Sequence, residues 1–159
     1  YSFQPNVDIV VTTPTHYDEL SRKMGQETPM FRLVMAVSRP TLLKLARLPA
    51  DYKVGLLCQS KRFADIMTAA CDDYCSLDER PSVGFFEDEA SFAEVVDNSD
   101  QLILPPNYLR FASSAQQKAV NDASFRDAPL VFEYGVERGS LIGLEERVGS
   151  ILMSKIHPA

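Results

Sequence analysis

The chain predicts an α/β fold, a parallel, doubly wound (Rossmann-like) three-layer sheet. Two observations carry this reading. Short apolar runs recur along the sequence, the first of them β-branched, and each is separated from the next by a stretch of helical periodicity. Strands joined through helices lie parallel, and a parallel sheet needs a helical layer on each face. A third observation divides the chain. Two stretches echo one another, so the fold is read as two-lobed, built from a duplicated unit.

The first strand is read at Val7–Val11, with Thr15 and Asp18 as an N-cap pair for the helix that follows and Gly25 as its stop. The second strand is Phe31–Val37. Ser38-Arg39-Pro40 then opens a helix with proline in its first turn and Leu42, Leu43, Leu45 and Ala46 behind it. The third strand, Val54–Cys58, leads into a helix whose Phe63, Ile66, Met67, Ala70 and Tyr74 share a face. A fourth strand at Ser82–Phe86 precedes a short helix capped by Asp88, with Phe92, Val95 and Val96 inward. The fifth, Gln101–Leu104, is stopped by Pro105-Pro106 and followed by a helical stretch from Tyr108 to Val120. The sixth, Leu130–Tyr134, gives way at Gly135 to a long helix through Leu141, Leu144, Val148, Ile151 and Leu152.

In the echo, Asp8-Ile9-Val10-Val11-Thr12-Thr13-Pro14-Thr15 aligns with Asp100-Gln101-Leu102-Ile103-Leu104-Pro105-Pro106-Asn107. Leu33-Val34-Met35 aligns with Leu130-Val131-Phe132, and Thr41 to Leu45 with Ser140 to Leu144. Residues 1–50 are then expected to be the end of a first α/β lobe whose start is missing, and 51–159 a second lobe.

Composition narrows the function. A net charge of −6 opposes contact with a phosphate backbone unless the cations are gathered on one face, and the sequence shows no such gathering. No apolar run is long enough to span a membrane, and Tyr1-Ser2-Phe3-Gln4-Pro5 lacks the character of a signal peptide. Cys58, Cys71 and Cys75 match no disulfide framework or zinc knuckle, which fits a reducing, cytoplasmic compartment. Cys71 and Cys75 lie four apart on one helix face and read as packing. There is neither a G-x-G-x-x-G after a strand nor a Walker loop, so no nucleotide cofactor is expected. His16 and His157 form no metal pair, and Glu87-Asp88-Glu89 reads as a solvated cap. No catalytic group emerges, and binding is favoured over catalysis.

In open α/β sheets the functional crevice lies beyond the carboxyl ends of the strands, where helix N-termini present free N–H groups. Those positions hold Thr12, Thr13, Thr15 and His16; Ser38 and Arg39; Gln59, Ser60, Lys61 and Arg62; Asn107 and Tyr108; and Glu133 and Tyr134. Hydroxyls, amides and three cations at helix starts suit a polar or anionic small molecule. Helix capping alone explains any one of Thr15, Ser38, Ser60 and Asn107, so the expectation rests on the set.

The segments VDIVVTTPTHYDEL, LVMAVSRPTLLKLARLPADYKVGLLCQS, Asp100 to Pro106 and LVFEYGVERGSLIGLEERV together resemble the C-terminal effector-binding and dimerisation domain of GntR-type bacterial transcription regulators. The resemblance implies a ligand-sensing regulatory domain with a small-molecule effector in the crevice named above. It implies a homodimer, and DNA contact made only by an N-terminal winged helix-turn-helix domain that this sequence lacks. Two alternatives stay open. One is a solute-binding lobe of a periplasmic-type receptor. The other is a phosphotransferase-type subunit using Cys58, against which the loop after Cys58 has no glycine and position 64 is alanine.

Overall fold

The computed structural model describes residues 7–24 and 28–157; Gly25 and the Tyr1–Pro5 segment lie outside them. The chain divides into two compact units, a sheet unit of Val37–Tyr134 and a flanking unit made of Tyr1–Ala36 with Gly135–Ala159. This division does not coincide with the one expected at 50/51. The last helix belongs with the N-terminal segment because the Val34 N–H donates to Ser140 Oγ (2.8 Å) and the Phe31 ring lies over Gly143, where an added Cβ would meet it at 3.4 Å.

In the sheet unit, β4 (Val54–Cys58), β5 (Ser82–Phe85), β6 (Gln101–Leu104) and β7 (Leu130–Val131) form one sheet in the order β5-β4-β6-β7. Every neighbouring pair is parallel, with Leu56 opposite Val83 and Ile103, and Ile103 opposite Leu130. The sheet carries helices on both faces, as alternation along each strand requires. Val54, Leu56, Cys58, Ile103 and Leu130 face α2 (Arg39–Ala46) and α3 (Lys61–Tyr74), through Leu45, Ala64, Met67 and Cys71. Leu57, Leu102 and Leu104 face α4 (Glu89–Asn98) and α5 (Ser114–Asp122), through Phe92, Val95, Val96 and Val120. Gly55 lets α4 approach closely, since a Cβ there would fall 2.6 Å from Val95 Cγ1. The fold is thus α/β, parallel and Rossmann-like. Strand order is what the sequence left open, and here it reverses direction between β4 and β6.

The flanking unit contains β1 (Val10–Thr12) and β2 (Met30–Arg32), a parallel pair, with α1 (Pro14–Met24) between them in sequence and α6 (Arg138–Ile156). Arg32 stacks over Tyr17, and Lys155 pairs with Asp8. Among the described residues its buried side chains are Thr12 and Ser140, both polar. Two more strands, β3 (Met35–Val37) and β8 (Tyr134–Val136), pair with each other, and the chain passes between the units within them.

Several expected elements are corrected. The expected strand Val7–Val11 narrows and shifts to Val10–Thr12. Phe31–Val37 is two strands, broken at Val34, whose N–H goes to Ser140 Oγ and whose carbonyl accepts from the Glu137 N–H (2.7 Å). Leu130–Tyr134 breaks in the same way. The Glu133 N–H goes to Thr41 Oγ1 (3.1 Å), and its carbonyl accepts from the Ser38 N–H (2.8 Å). Hydroxyl groups thus take ladder hydrogen bonds that a continuous strand would have used. The stretch Tyr108–Val120 is a 3-10 turn (Tyr108–Arg110) followed by α5, because Asn107 is left-handed (φ 55°) and Ser113 starts a new helix through a capping box with Gln116.

The internal echo reappears in these hydrogen bonds. The N–H of Leu33 donates to Thr12 O, and the N–H of Phe132 to Leu104 O. Val34 is therefore equivalent to Glu133, two residues further along than the Val34–Val131 match read from the sequence. The pairings Asp8 with Asp100 and Thr41 with Ser140 keep their register, since Thr12 matches Leu104 on the first.

Candidate functional site

Four parallel strands place all their carboxyl ends on one edge of the sheet, so the segments after β4, β5, β6 and β7 share that edge. After β4 come Gln59 and Ser60, then Lys61 and Arg62 in the first turn of α3. Ser60 is the N-cap and accepts from the Phe63 N–H at 3.2 Å. After β6 come Pro105, Pro106, Asn107 and Tyr108, and after β7 come Glu133 and Tyr134. These loops flank the point between β4 and β6 where the strand order reverses, which is where open α/β sheets leave a crevice.

Ser38 and Arg39 join this edge from the start of α2. Ser38 caps that helix, accepting from the Thr41 N–H (3.3 Å), and its hydroxyl donates to Glu133 Oε2 (2.9 Å). Beneath them Phe63 meets Phe132 and Tyr134 edge-on, with ring centroids 5.9 and 5.8 Å apart. That aromatic cluster fixes the start of α3 against the segment after β7. Ser38, Arg39, Ser60, Lys61, Arg62, Asn107, Tyr108, Glu133 and Tyr134 therefore lie along a single edge.

Thr12, Thr13, Thr15 and His16 belong to the flanking unit. Thr12 is buried at the end of β1 and its hydroxyl donates to Thr13 O (3.3 Å). The α1 helix begins at Pro14, one residue before the expected cap, so Thr15 and His16 are exposed first-turn residues. Asn107 also departs from expectation. Its side chain makes no capping hydrogen bond, and its left-handed backbone turns the chain instead.

Arg39, Lys61 and Arg62 are exposed, and none forms a salt bridge among the described residues. Gln59 adds an oxygen that is buried without a hydrogen-bond partner among the described residues. Of the acidic run after β5, Asp88 accepts from the Ala90 and Ser91 N–H groups as the cap of α4.

Cys58 does not point to this edge. Its thiol is wholly buried among the α2 and α3 side chains, 3.7 Å from Met67 Sδ, and burial pushes it up to about 12. A thiol so placed is neither ionised near neutrality nor reachable by a phosphate donor, which removes the structural basis of the phosphocysteine alternative. The described residues contain no group of three or more His, Cys, Asp or Glu side chains suited to a metal, and no helix among them is long and apolar enough to cross a membrane.

No curated protein and no solved structure matches the chain. Residues 55–155, running from β4 into α6, match the family described as the YmtS Rossmann-like domain. The match covers well over half of the chain, and the parallel sheet with its reversal of strand order is the architecture that description names. The chain belongs to the YmtS Rossmann-like domain family.

Proposed function

We propose that this chain is the ligand-sensing regulatory domain of a bacterial transcription regulator of GntR type. In this reading a small polar or anionic metabolite binds at the carboxyl edge of the sheet unit, and occupancy modulates DNA binding by a winged helix-turn-helix domain carried elsewhere in the polypeptide. The regulatory half rests on the sequence resemblance. The binding half rests on one observation, that Arg39, Lys61 and Arg62 stand at two helix starts on the edge where strand order reverses, with no acidic partner among the described residues.

Two helix N-termini with cations in their first turns favour an anion through both charge and free backbone N–H groups. The hydroxyls of Ser38 and Ser60 and the amide of Gln59 add donors and acceptors for a polyhydroxy group. A thermal-shift screen with inorganic phosphate, hexose phosphates and small dicarboxylates tests the binding half. The expected result is stabilisation by one class that is lost in the Lys61→Gln/Arg62→Gln variant. Silence across all three classes, or a shift that survives the double substitution, would overturn it.

A further inference from the structure

The far end of α3 carries a second chemical feature, unrelated to the edge just described. Cys71 and Cys75 lie one turn apart, and both line an open cleft of about 220 Å³ together with Asp72, Leu77, Asp78, Glu79, Arg80 and Pro81. Cys71 is 2% exposed and belongs to the core, whereas Cys75 is half-buried and reaches the cleft from the helix C-cap. The Cys75 N–H makes the closing bond of the helix, to Cys71 O at 2.9 Å, and beyond it the backbone is extended (φ −95°, ψ 151°). Packing alone accounts for Cys71. Cys75 packs against the same core cluster, yet it also lines the cleft.

We propose that Cys71 and Cys75 form a reversible dithiol–disulfide pair, oxidised by thiol–disulfide exchange with a small disulfide that enters this cleft. Residues four apart in a helix have Cα atoms about 6 Å apart, inside the range a disulfide bridges, and Cβ atoms about 5–6 Å apart, somewhat beyond it. The remaining closure falls on Cys75, the C-cap residue, beyond which the backbone is extended.

The exchange balances in two steps. The Cys75 sulfur attacks one sulfur of the small disulfide, forming a mixed disulfide and releasing one thiol, which carries away the Cys75 proton. Cys71 then attacks the Cys75 sulfur, the protein disulfide forms, and the second thiol leaves with the Cys71 proton. The asymmetry of the pair fits Cys75 as the first attacker. Hydrogen bonding from the Cys71 thiol lowers the Cys75 thiol from its ordinary value, against the opposing effects of burial and of Asp72. Its partner is raised, by that same hydrogen bond and by burial. Arg80, paired with Asp72 at 3.2 Å, offsets part of the negative charge around the cleft. Cys58, wholly buried and on β4, serves as an internal control.

The test equilibrates the chain with mixtures of oxidised and reduced glutathione, alkylates the remaining thiols and maps them by mass spectrometry. The expected product is an intramolecular Cys71–Cys75 disulfide that forms reversibly with the redox ratio, persists in Cys58→Ser and is absent from both Cys71→Ser and Cys75→Ser. In Cys71→Ser the mixed disulfide at Cys75 accumulates instead. The proposal is overturned if both thiols stay alkylatable in excess oxidised glutathione, or if the unsubstituted chain stops at the mixed disulfide. A bridge that involves Cys58 would overturn it as well.

Discussion

The two edges of the sheet unit carry charge in opposite ways. At the amino edge Arg126 bonds to Asp51 at 3.1 Å, reaches Asp100 at 3.9 Å and lies over the Tyr52 ring. Asp100 also accepts from the Lys53 N–H at 2.9 Å, and the Tyr52 hydroxyl donates to Asp127 at 2.8 Å. That last bond, with some burial, raises the Tyr52 hydroxyl above its ordinary value. The network holds the segments entering β4, β6 and β7 to one another. At the carboxyl edge Arg39, Lys61 and Arg62 have no such partners among the described residues, and the ordering comes instead from caps and from the Phe63 cluster. One edge satisfies its charges internally and so serves stability. The other leaves its cations available to a ligand.

The largest expected effect concerns how well the carboxyl edge is sealed from the core beneath it. The Cys58 thiol has a folded value of about 12 against an ordinary 9.0. Because the folded value is the raised one, its contribution is fully present below pH 9 and is lost as pH rises toward 12. Stability should therefore fall by up to about 1.4 kcal/mol per pH unit in that window. Denaturant unfolding of the chain and of Cys58→Ala across the window isolates this slope. Parallel curves for the two would mean that Cys58 is open to solvent.

Phe63→Ala comes next. Truncating a partly buried phenylalanine that meets two other rings should cost about 2–3 kcal/mol. A loss under about 0.5 kcal/mol would show that the edge does not depend on the cluster. Asp100→Ala, at the opposite edge, removes acceptors for a backbone N–H and a guanidinium and should cost about 1–2 kcal/mol. Thr41→Val and Ser140→Ala remove equivalent acceptors, those of the Glu133 and Val34 N–H groups, and should each cost about 1 kcal/mol by the same assay. A clear inequality between the two would separate the repeats energetically. Smallest of all, Lys61→Gln/Arg62→Gln should change stability by less than about 0.5 kcal/mol, because the substituted cations hold nothing together.

Much of the sheet unit was legible because its strands are continuous apolar runs with helical signals between them. Val54–Cys58 and Gln101–Leu104 were read with their observed bounds, and Ser38, Ser60 and Asp88 as the caps they are. The breaks at Val34 and Glu133 were not legible, since each arises from a hydroxyl more than ninety residues away in sequence, and from none of the usual turn residues. Glu137 went unread as the cap of α6 because glutamate is an uncommon residue there. Its carboxylate accepts from the Gly139 and Ser140 N–H groups, which lowers its acid value. The edge itself was legible as a set of polar helix starts. Which cations lack partners depends on side-chain placement across strands, and so could be seen only in the fold.

Amide shifts in a two-dimensional nitrogen–proton NMR titration with hexose phosphate bear most directly on the contrast between the edges. Saturable shifts at Ser60–Phe63, at Arg39 and Thr41, and at Asn107–Tyr108, abolished in Lys61→Gln/Arg62→Gln while the spectrum stays dispersed, are the predicted result. Shifts centred on Lys53, Asp100 and Arg126, or shifts at the carboxyl edge unchanged by the double substitution, would contradict it.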